Sequence, residues 1–260
     1  MINDKTKTIQ NMLSANEFNI IAGPCTIESR ESLDETGAAL QSMGIKYIRG
    51  GAYKMRTSPH SFRGLGDIAL TWLHEIGEKY GLVTVSEVID ATKIALMAEH
   101  IDVFLIGTRN MHNYPLLEQL GKTQKPVILK RGMSATYQDW LFAAEYIVES
   151  GNPNVILCER GIRTFETHTR NTLDLSSIPA IRSMSKFPII IDPSHSTGKS
   201  EYVRAMTLAA VAAGANGVMI ETHPFPVQSL CDAEQAITLE ELCSMIKPIY
   251  EIRQIIQEND

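Results

Sequence analysis

A local concentration of basic side chains lies in the segment GGAYKMRTSPHSFRGLG, residues 50–66. Between its glycines the segment contains Lys54, Arg56, His60 and Arg63. The whole chain has a net charge of −6 at pH 7, so these cations are a local feature of an acidic protein. Nucleic acids and anionic membranes are bound through a broad excess of lysine and arginine, which this chain lacks. The segment therefore predicts a site for a small anionic ligand.

Basic residues also recur where short apolar runs of the sequence end. Together with the segment above they give a set of six: Arg49, Lys54, Arg56, Arg109, Lys130 and Arg160. Arginine suits bidentate contacts with phosphate or carboxylate, whereas lysine acts as a point charge that can also move a proton. Any one of these residues alone is read as a solvated loop charge. If all six converge on a partly desolvated cleft, they require anions there, and two anionic groups match them better than one.

A second set of residues combines one thiol, one imidazole and two carboxylates, from Cys25, His195, Glu221 and Asp232. This mixture of soft and hard donors suits Mn²⁺, Fe²⁺, Co²⁺ or Zn²⁺ better than Mg²⁺ or Ca²⁺. No local spacing links the four residues. Cys25 is also consistent with a buried core thiol, and His195 with a hydrogen-bonded histidine at a strand end.

The cysteines show no CxxC spacing, and a chain of 260 residues can bury a sizeable core without disulfides. We therefore expect free thiols, core positions or metal ligands. Cys158 lies inside an apolar run and Cys243 inside a helical pattern, so we predict core positions for both. Cys231, next to Asp232, is left open between these interpretations.

Two kinds of element alternate along the chain and must position these residues. Short β-branched apolar runs predict eight strands, at 18–23, 45–50, 82–88, 102–107, 126–132, 154–161, 187–192 and 216–222. Amphipathic segments long enough for helices lie between most of them, at 29–43, 66–80, 136–150 and 199–213. Strands that are apolar throughout are typical of a parallel sheet covered by helices, and eight of them close a (β/α)₈ barrel.

An open, doubly wound sheet is the alternative fold. It usually carries a glycine-rich turn after its first strand, but this chain reads AGPCTIES there, with Pro24 where glycine would be needed. In a barrel, reactive groups lie where strands end and loops begin, and the predicted strands all deliver polar or metal-binding side chains to that rim. We therefore predict an α/β fold with a single (β/α)₈ TIM barrel.

Length and composition set the expected domain organisation. The chain is 44% hydrophobic, which at this length is typical of one globular domain. Residues 1–17 are polar and lack the apolar core of a signal peptide, and no apolar run is long enough to span a bilayer. We expect a cytoplasmic protein with a short N-terminal extension, 1–17, and one catalytic barrel, 18–260.

Seven blocks of sequence, in order, resemble the short, metal-dependent type I-beta synthases of 3-deoxy-D-arabino-heptulosonate 7-phosphate (DAHP). The blocks are AGPCTIES, IRGGAYKMRTSPHSFRGLG, IGTRNMHNYPLL, PVILKRGMSAT, ILCERGIRTFETHTRNTLDL, IIDPSHSTGK, and ETHPFP followed by Asp232. The resemblance covers about residues 18–237. It implies a transferase of the shikimate pathway of aromatic amino acid biosynthesis, which condenses phosphoenolpyruvate with erythrose 4-phosphate and releases phosphate. Both substrates are phosphorylated anions, as the cationic segment requires.

The resemblance also implies roles for individual residues. The implied ligands of one divalent metal ion, with Mn²⁺ favoured, are Cys25, His195, Glu221 and Asp232. The residues implied to bind phosphoenolpyruvate are Arg49, Lys54, Glu87, Arg109, Lys130 and Arg160. Those implied to bind erythrose 4-phosphate are Arg56, Thr57 and Ser58. Those implied to be catalytic are Lys54, His195 and Cys25. We expect a homo-oligomer, a dimer or a tetramer, with no nucleic acid or membrane partner.

The chain departs from the family pattern at Met55, where proline is usual, and at Thr108, where alanine is usual. Proline stiffens a loop by fixing φ, so Met55 bears on the choice of the acceptor aldehyde. Relatives often carry a regulatory module, and residues 1–17 are too few to form one.

Three alternative functions remain open. Synthases of 3-deoxy-D-manno-octulosonate 8-phosphate take arabinose 5-phosphate instead, but usually carry a Lys-Ala-Asn-Arg-Ser-Ser block where this chain has KMRTS. A Schiff-base aldolase acting through Lys130 would leave the thiol, imidazole and carboxylate set unexplained. A barrel that binds a metabolite without turning it over would be separated from the enzymes by a turnover assay.

Overall fold

Eight parallel strands close into a barrel in the computed structural model, which describes residues 4–15, 17–56 and 58–258. The strands follow one another around the barrel in sequence order, and the last pairs with the first. They are β1 (Asn19–Gly23), β2 (Tyr47–Arg49), β3 (Val83–Glu87), β4 (Val103–Ile106), β5 (Val127–Lys130), β6 (Val155–Glu159), β7 (Ile189–Ile191) and β8 (Gly217–Glu221). The predicted TIM barrel and its eight strands are confirmed.

Helices lie between the strands and bury their apolar faces against the outside of the barrel. They are α1 (Asp4–Ser14), α2 (Arg30–Ser42), α3 (Asp67–Tyr80), α4 (Ile94–His100), α5 (Tyr114–Gly121), α6 (Tyr137–Glu149), α7 (Ser177–Met184), α8 (Pro193–Thr197), α9 (Ser200–Ala212) and α10 (Leu239–Gln257). Short 3₁₀ turns lie at Ala91–Lys93, Thr108–Asn110, Pro226–Gln228 and Ala233–Gln235. The four predicted helices correspond to α2, α3, α6 and α9. None of the helices among the described residues is both long and apolar enough to cross a membrane.

The strands are buried on both faces, which explains why their sequences are largely apolar. In β5, Val127 and Leu129 pack outward against the helices, whereas Ile128 points into the barrel interior. Successive side chains of a strand alternate between the two sides, so every strand except β3 contributes to both the outer and the interior apolar cluster. In β3 the alternate positions are Thr84 and Ser86. The barrel is therefore a packed core, and the polar residues that end its strands are held on rigid backbone.

Helix α1 packs against the end of the barrel at which the strands begin. Met12 is 1% exposed and joins the interior cluster that includes Tyr47 and Val83, the first residues of β2 and β3. The hydroxyl of Tyr47 donates to the carbonyl oxygen of Thr8 at 2.7 Å. This helix lies within the N-terminal extension predicted for 1–17, and the boundary at residue 17 stays a prediction.

The two cysteines predicted to lie in the core differ in outcome. Cys158, in β6, is fully buried, as predicted. The prediction for Cys243 is wrong, because its side chain is exposed on α10. Leu242 and Met245 bury the inner face of that helix. Residue 243 is turned by about 100° from its neighbour, which carries it toward the solvent.

Candidate active site

The carboxyl-terminal ends of β1, β7 and β8, with the segments that follow them, bring the predicted metal ligands together. Cys25 follows β1, His195 lies in α8 directly after β7, Glu221 ends β8, and Asp232 lies in the loop before α10. One donor atom from each of the four lies within 4.8 Å of the others. Cys25, His195 and Glu221 are buried, and Asp232 is partly buried. No local spacing in the sequence connects these residues, and they meet because the strands that carry them close into one barrel.

The imidazole of His195 is fixed by Asp192, the N-cap residue of α8. The Asp192 Oδ2 atom lies 2.8 Å from Nδ1 of His195, and its Oδ1 accepts from the backbone N–H of His195 at 2.9 Å. Burial lowers the pKa of His195 to about 4, so the ring is neutral. Burial opposes ionisation of Asp192, but His195 and Lys130 hold its pKa well below the ordinary value. Each ring nitrogen faces a carboxylate oxygen, and the nearer one is Oδ2 of Asp192, 2.8 Å from Nδ1 against 3.1 Å between Nε2 and Oε1 of Glu221. We therefore assign the ring hydrogen to Nδ1 and the lone pair to Nε2.

The Nε2 lone pair of His195 faces the carboxylate of Glu221. The Nε2 and Oε1 atoms are 3.1 Å apart. Burial opposes ionisation of Glu221, but the cations Arg49 and Lys54 hold its pKa below the ordinary value, so the carboxylate is ionised. Two electron-rich atoms at this distance repel each other unless a cation lies between or beside them. The pair has the chemistry of two ligands of one metal ion.

Cys25, Lys54 and Asp232 form the other side of the cluster. The Lys54 Nζ atom lies 2.7 Å from Sγ of Cys25 and 3.3 Å from Oδ2 of Asp232, and Sγ and Oδ2 are 3.1 Å apart. A hydrogen bond with Cys231 and burial raise the pKa of Cys25. Lys54 holds the pKa of Asp232 low despite burial. The ammonium group therefore lies beside both a thiol and a carboxylate of the donor set.

The loop that carries Asp232 is anchored by Glu28, of the AGPCTIES block. Glu28 Oε1 accepts from the hydroxyl of Ser229 at 2.9 Å and from the backbone N–H of Leu230 at 2.7 Å. Asp232 itself has φ 55° and ψ 36°, in the left-handed region that few residues other than glycine adopt. The hydrogen bonds to Glu28 hold the loop, and the loop holds Asp232 in this conformation with its carboxylate beside the other donor atoms.

A cavity of about 320 Å³ opens beside the donor cluster. Five of the predicted phosphoenolpyruvate-binding residues line it: Lys54, Glu87, Arg109, Lys130 and Arg160. Arg160 is buried and donates from Nη2 to the carbonyl oxygen of His195 at 3.1 Å, whereas its buried Nη1 has no partner. Lys130 pairs with Asp192. The cavity thus holds several cations, one of which presents a buried donor that awaits an acceptor.

Arg49, the sixth predicted residue of that set, lies outside the cavity wall. Its Nη1 is 3.0 Å from Oε1 of Glu221, and its Nη2 donates to the carbonyl oxygen of Cys25 at 3.3 Å. Glu221 also raises the pKa of Arg49, against the effect of burial. The guanidinium therefore supports two candidate ligands from beneath. Its buried Nε atom has no partner.

Glu87, at the end of β3, fits into space left by Gly107. A Cβ atom at residue 107 would lie 2.0 Å from Oε1 of Glu87, which no real contact allows. Gly107 immediately follows β4 and also lines the cavity. The absence of a side chain there is what allows Glu87 to reach the cavity.

The predicted acceptor-binding residues are only partly described. Arg56 lines the cavity, and its Nη1 lies 3.0 Å from Sγ of Cys231 and 3.8 Å from Oδ1 of Asp232. Ser58 also lines the cavity. Thr57 lies outside the described residues. The segment is tied to its own far end, because the Lys54 N–H donates to the carbonyl oxygen of Arg63 at 2.8 Å.

Three residues of the site were given no role from the sequence: Glu28, Asp192 and Gln235. Each acts through another side chain or through a loop, as described above for the first two. Gln235 is 2% exposed and donates from Nε2 to Oε2 of Glu221. All three lie within or beside the blocks that carry the family resemblance, and that was the one available signal.

A cavity lined by cationic side chains beside a metal-type donor cluster, at the end of a TIM barrel where the strands finish, is the arrangement expected of a barrel enzyme that acts on anionic substrates. Within that class, the chain belongs to the DAHP synthetase I family, whose model matches residues 8–258.

Similar proteins agree with this assignment. The phospho-2-dehydro-3-deoxyheptonate aldolase of Thermotoga maritima is 50% identical over 223 residues, which are 86% of this chain and 66% of that protein. The chain thus spans about two thirds of that relative's length. The 2-dehydro-3-deoxyphosphooctonate aldolase of Syntrophobacter fumaroxidans is 30% identical over 264 residues, covering 95% of this chain and 91% of that protein.

Solved structures share the fold. A crystal structure of the Thermotoga maritima enzyme, a DAHP synthase, matches with a TM-score of 0.90 at 46% identity, covering 92% of this chain and 70% of that one. A truncated form of the Thermotoga maritima synthase matches with a TM-score of 0.86 at 43% identity, covering 92% of this chain and 88% of that one.

Proposed function

We propose that this chain condenses phosphoenolpyruvate with erythrose 4-phosphate and water, giving DAHP and inorganic phosphate. One observation carries the proposal: one cavity is lined by two residues of the donor cluster, His195 and Asp232, and by the buried guanidinium of Arg160, whose Nη1 has no partner. A buried donor without a partner costs free energy of about 1–3 kcal/mol, which an anionic substrate would recover. The similarity to the Thermotoga maritima enzyme supports the same reaction.

Cys25, His195, Glu221 and Asp232 would hold one divalent metal ion. The facing lone pairs of His195 Nε2 and Glu221 Oε1 support this assignment, because a cation relieves their repulsion. A thiolate in the set favours a first-row ion over Mg²⁺ or Ca²⁺, and we propose Mn²⁺, with Fe²⁺, Co²⁺ or Zn²⁺ as substitutes. When bound, the ion supplies Lewis-acid polarisation of a carbonyl oxygen.

The protein's own residues divide the remaining work. Arg109, Lys130 and Arg160 bind the phosphate and carboxylate of phosphoenolpyruvate, and Arg49 supports the cluster below them. Carbon 3 of phosphoenolpyruvate attacks the aldehyde carbon, and Lys54 stabilises the negative charge that develops on the aldehyde oxygen, which then takes a proton. Water adds to carbon 2, and the bond from that carbon to the bridging phosphate oxygen breaks as carbon 2 becomes a ketone. One proton of the water goes to the former aldehyde oxygen and the other to the departing phosphate. The cationic side chains neutralise the departing phosphate, and Glu87 orients a basic side chain or a water molecule.

Erythrose 4-phosphate is the acceptor that we favour. Arg56 and Ser58, which line the cavity, would bind its phosphate, and we assign Thr57 to the same role on the family resemblance alone. The similarity to the heptonate aldolase is greater than that to the octonate aldolase, 50% against 30% identity, and the KMRTS segment lacks the block typical of the latter class.

Product analysis tests the proposal. The purified protein, loaded with Mn²⁺, should consume phosphoenolpyruvate and erythrose 4-phosphate in equal amounts and release one phosphate for each DAHP formed, measured by ³¹P NMR and mass spectrometry. Arabinose 5-phosphate and ribose 5-phosphate serve as competing acceptors, and the highest kcat/KM is expected with erythrose 4-phosphate. Preference for arabinose 5-phosphate would assign the octulosonate reaction instead. Absence of turnover with every aldose phosphate would leave a non-catalytic barrel.

We also propose a homo-oligomer, a dimer or tetramer, as the functional form. The support is the family resemblance alone. Size-exclusion chromatography with light scattering measures the mass directly, and a single species at 28.9 kDa, the mass of one chain, would contradict the proposal.

A further inference from the structure

We propose that Gln235, itself held by Arg170, is a positioning residue for Glu221. Gln235 donates a hydrogen bond to Oε2 of that carboxylate, which leaves Oε1 as the oxygen that binds the metal ion. The inference rests on the metal site proposed above. It adds a residue that neither the family resemblance nor the sequence pattern assigned to the site.

The two oxygens of Glu221 have different surroundings. Oε1 lies 3.1 Å from Nε2 of His195, on the side of the donor cluster, and 3.0 Å from Nη1 of Arg49. Oε2 accepts from Nε2 of Gln235. An unrestrained carboxylate can bind a metal ion through one or both oxygens. A hydrogen bond to one of them favours binding through the other.

Gln235 is held firmly enough for this role. It is 2% exposed, and its Oε1 accepts from Nη1 of Arg170 at 2.9 Å. That bond fixes the orientation of the amide, because the oxygen faces Arg170 and the nitrogen faces Glu221. Arg170 in turn lines the substrate cavity and lies 3.8 Å from Oδ1 of Asp232. A continuous set of polar contacts therefore runs from the cavity rim to a buried candidate ligand.

The backbone couples Gln235 to a second candidate ligand. Its N–H donates to the carbonyl oxygen of Asp232 at 3.2 Å, within the turn Ala233–Gln235. Two residues further on, the N–H of Ile237 donates to the carbonyl oxygen of Glu221 at 3.0 Å. The segment is thus docked on the end of β8. One short stretch of chain both supplies Asp232 and restrains Glu221.

Metal binding, measured without turnover, tests the proposal. The metal-stripped protein is titrated with Mn²⁺ by calorimetry and with Co²⁺ by visible absorption. Gln235→Met keeps the length of the side chain and removes the donor. We expect its Kd for Mn²⁺ to rise about 10- to 100-fold, the usual effect of losing a group that orients a metal ligand. The Co²⁺ spectrum should also change, because the freed carboxylate alters the coordination.

Gln228→Met is the matched control. Gln228 lies in the same loop, and its side chain is exposed. Its variant should bind both metals as the unmodified protein does. A Gln235→Met protein with unchanged Mn²⁺ affinity and an unchanged Co²⁺ spectrum would overturn the inference.

Arg170→Met provides a second measurement in case Gln235→Met does not fold. Arg170 is exposed, so its replacement should leave the fold intact while freeing the amide of Gln235. We expect a smaller rise in the Kd for Mn²⁺, of about two- to fivefold, with a changed Co²⁺ spectrum. Unchanged metal binding would again overturn the inference. If the unmodified protein binds neither metal, the proposed metal site itself fails, a result distinct from equal binding by variant and unmodified protein.

Discussion

The two sides of the cavity differ in how firmly the fold holds their side chains. On the side of β7 and β8, His195 and Glu221 are buried, and each is restrained by two or more polar partners. On the side of the segment 54–58, Arg56 is partly exposed and meets Cys231 and Asp232 at its guanidinium end. His195 and Glu221 lie at or just after the ends of strands, whereas Arg56 lies in the long loop between β2 and α3.

The difference indicates which side chains must be positioned precisely for the reaction. A donor set that is already in place reorganises little when charge develops, and such preorganisation is the largest contribution to many enzymatic rate enhancements. A loop that contacts the remote end of a substrate contributes mainly to the affinity for that substrate and to the selection between substrates. We therefore expect changes on the buried side to reduce kcat and changes on the loop side to raise KM.

The largest effect is expected from removing a candidate ligand. Cys25→Ala should lower turnover by about 1000-fold or more at ordinary Mn²⁺ concentrations, because one of four donors is lost. Chelation of the unmodified protein should abolish activity, and Mn²⁺ should restore it. Steady-state rates measure both. Cys243→Ala, which removes an exposed thiol, is the control and should retain full activity. Full turnover by a metal-free preparation would refute the ligand assignment.

Lys54→Ala should have the next largest effect, on kcat. The ammonium group lies 2.7 Å from Sγ of Cys25, at the junction of the cluster and the cavity. A group that stabilises developing charge acts mainly in the transition state, so kcat should fall about 100- to 1000-fold. The KM values should change less. A variant with normal kcat would place Lys54 outside the reacting centre.

Arg56→Ala should raise the KM for erythrose 4-phosphate much more than the KM for phosphoenolpyruvate. Loss of a charged contact with phosphate costs about 2–4 kcal/mol, which corresponds to roughly 30- to 1000-fold. Initial rates with each substrate varied in turn give both constants. Arg63→Ala is the matched control, since Arg63 lies in the same segment and is exposed. Equal rises in both KM values would show that the loop does not bind erythrose 4-phosphate specifically.

The smallest effect is expected from Met55→Pro. Proline stiffens the loop before Arg56, and the result should be activity within about threefold of the unmodified protein, with equal or tighter acceptor binding. The KM for erythrose 4-phosphate and the melting temperature measure the two consequences. A loss of both binding and stability would show that residue 55 needs a backbone conformation that proline cannot adopt.

The barrel could be predicted from the sequence because its strands are buried on both faces. Runs such as NIIAG and VILCE are apolar except at one end, and repetition of such runs eight times between amphipathic helices is typical of this barrel. Cys243 shows the limit of this reasoning. A helical pattern indicates which positions share a face, but one position in the sequence separates a buried residue from an exposed one.

The contacts that hold the site in place could not be predicted in the same way. Lys130 and Asp192 are 62 residues apart, and Arg49 and Glu221 are 172 apart, so no spacing reveals that they pair. Because Arg49 lies where a strand ends, the sequence predicted that its side chain joins the other basic residues in one cleft. The three-dimensional structure is needed to see that its guanidinium contacts Glu221 and the carbonyl oxygen of Cys25, and its contact with phosphoenolpyruvate stays a prediction.

Gly107 and Glu87 have a consequence for how this protein can evolve. Because a Cβ atom at 107 would overlap the carboxylate of Glu87, a side chain at 107 requires Glu87 either to turn out of its present position or to become shorter. Either change removes the carboxylate from the place that it now occupies beside the cavity. Replacement of the glycine should therefore be coupled to residue 87 among descendants of this chain. Lineages that replace the glycine should be those in which the present position of the carboxylate no longer has selective value.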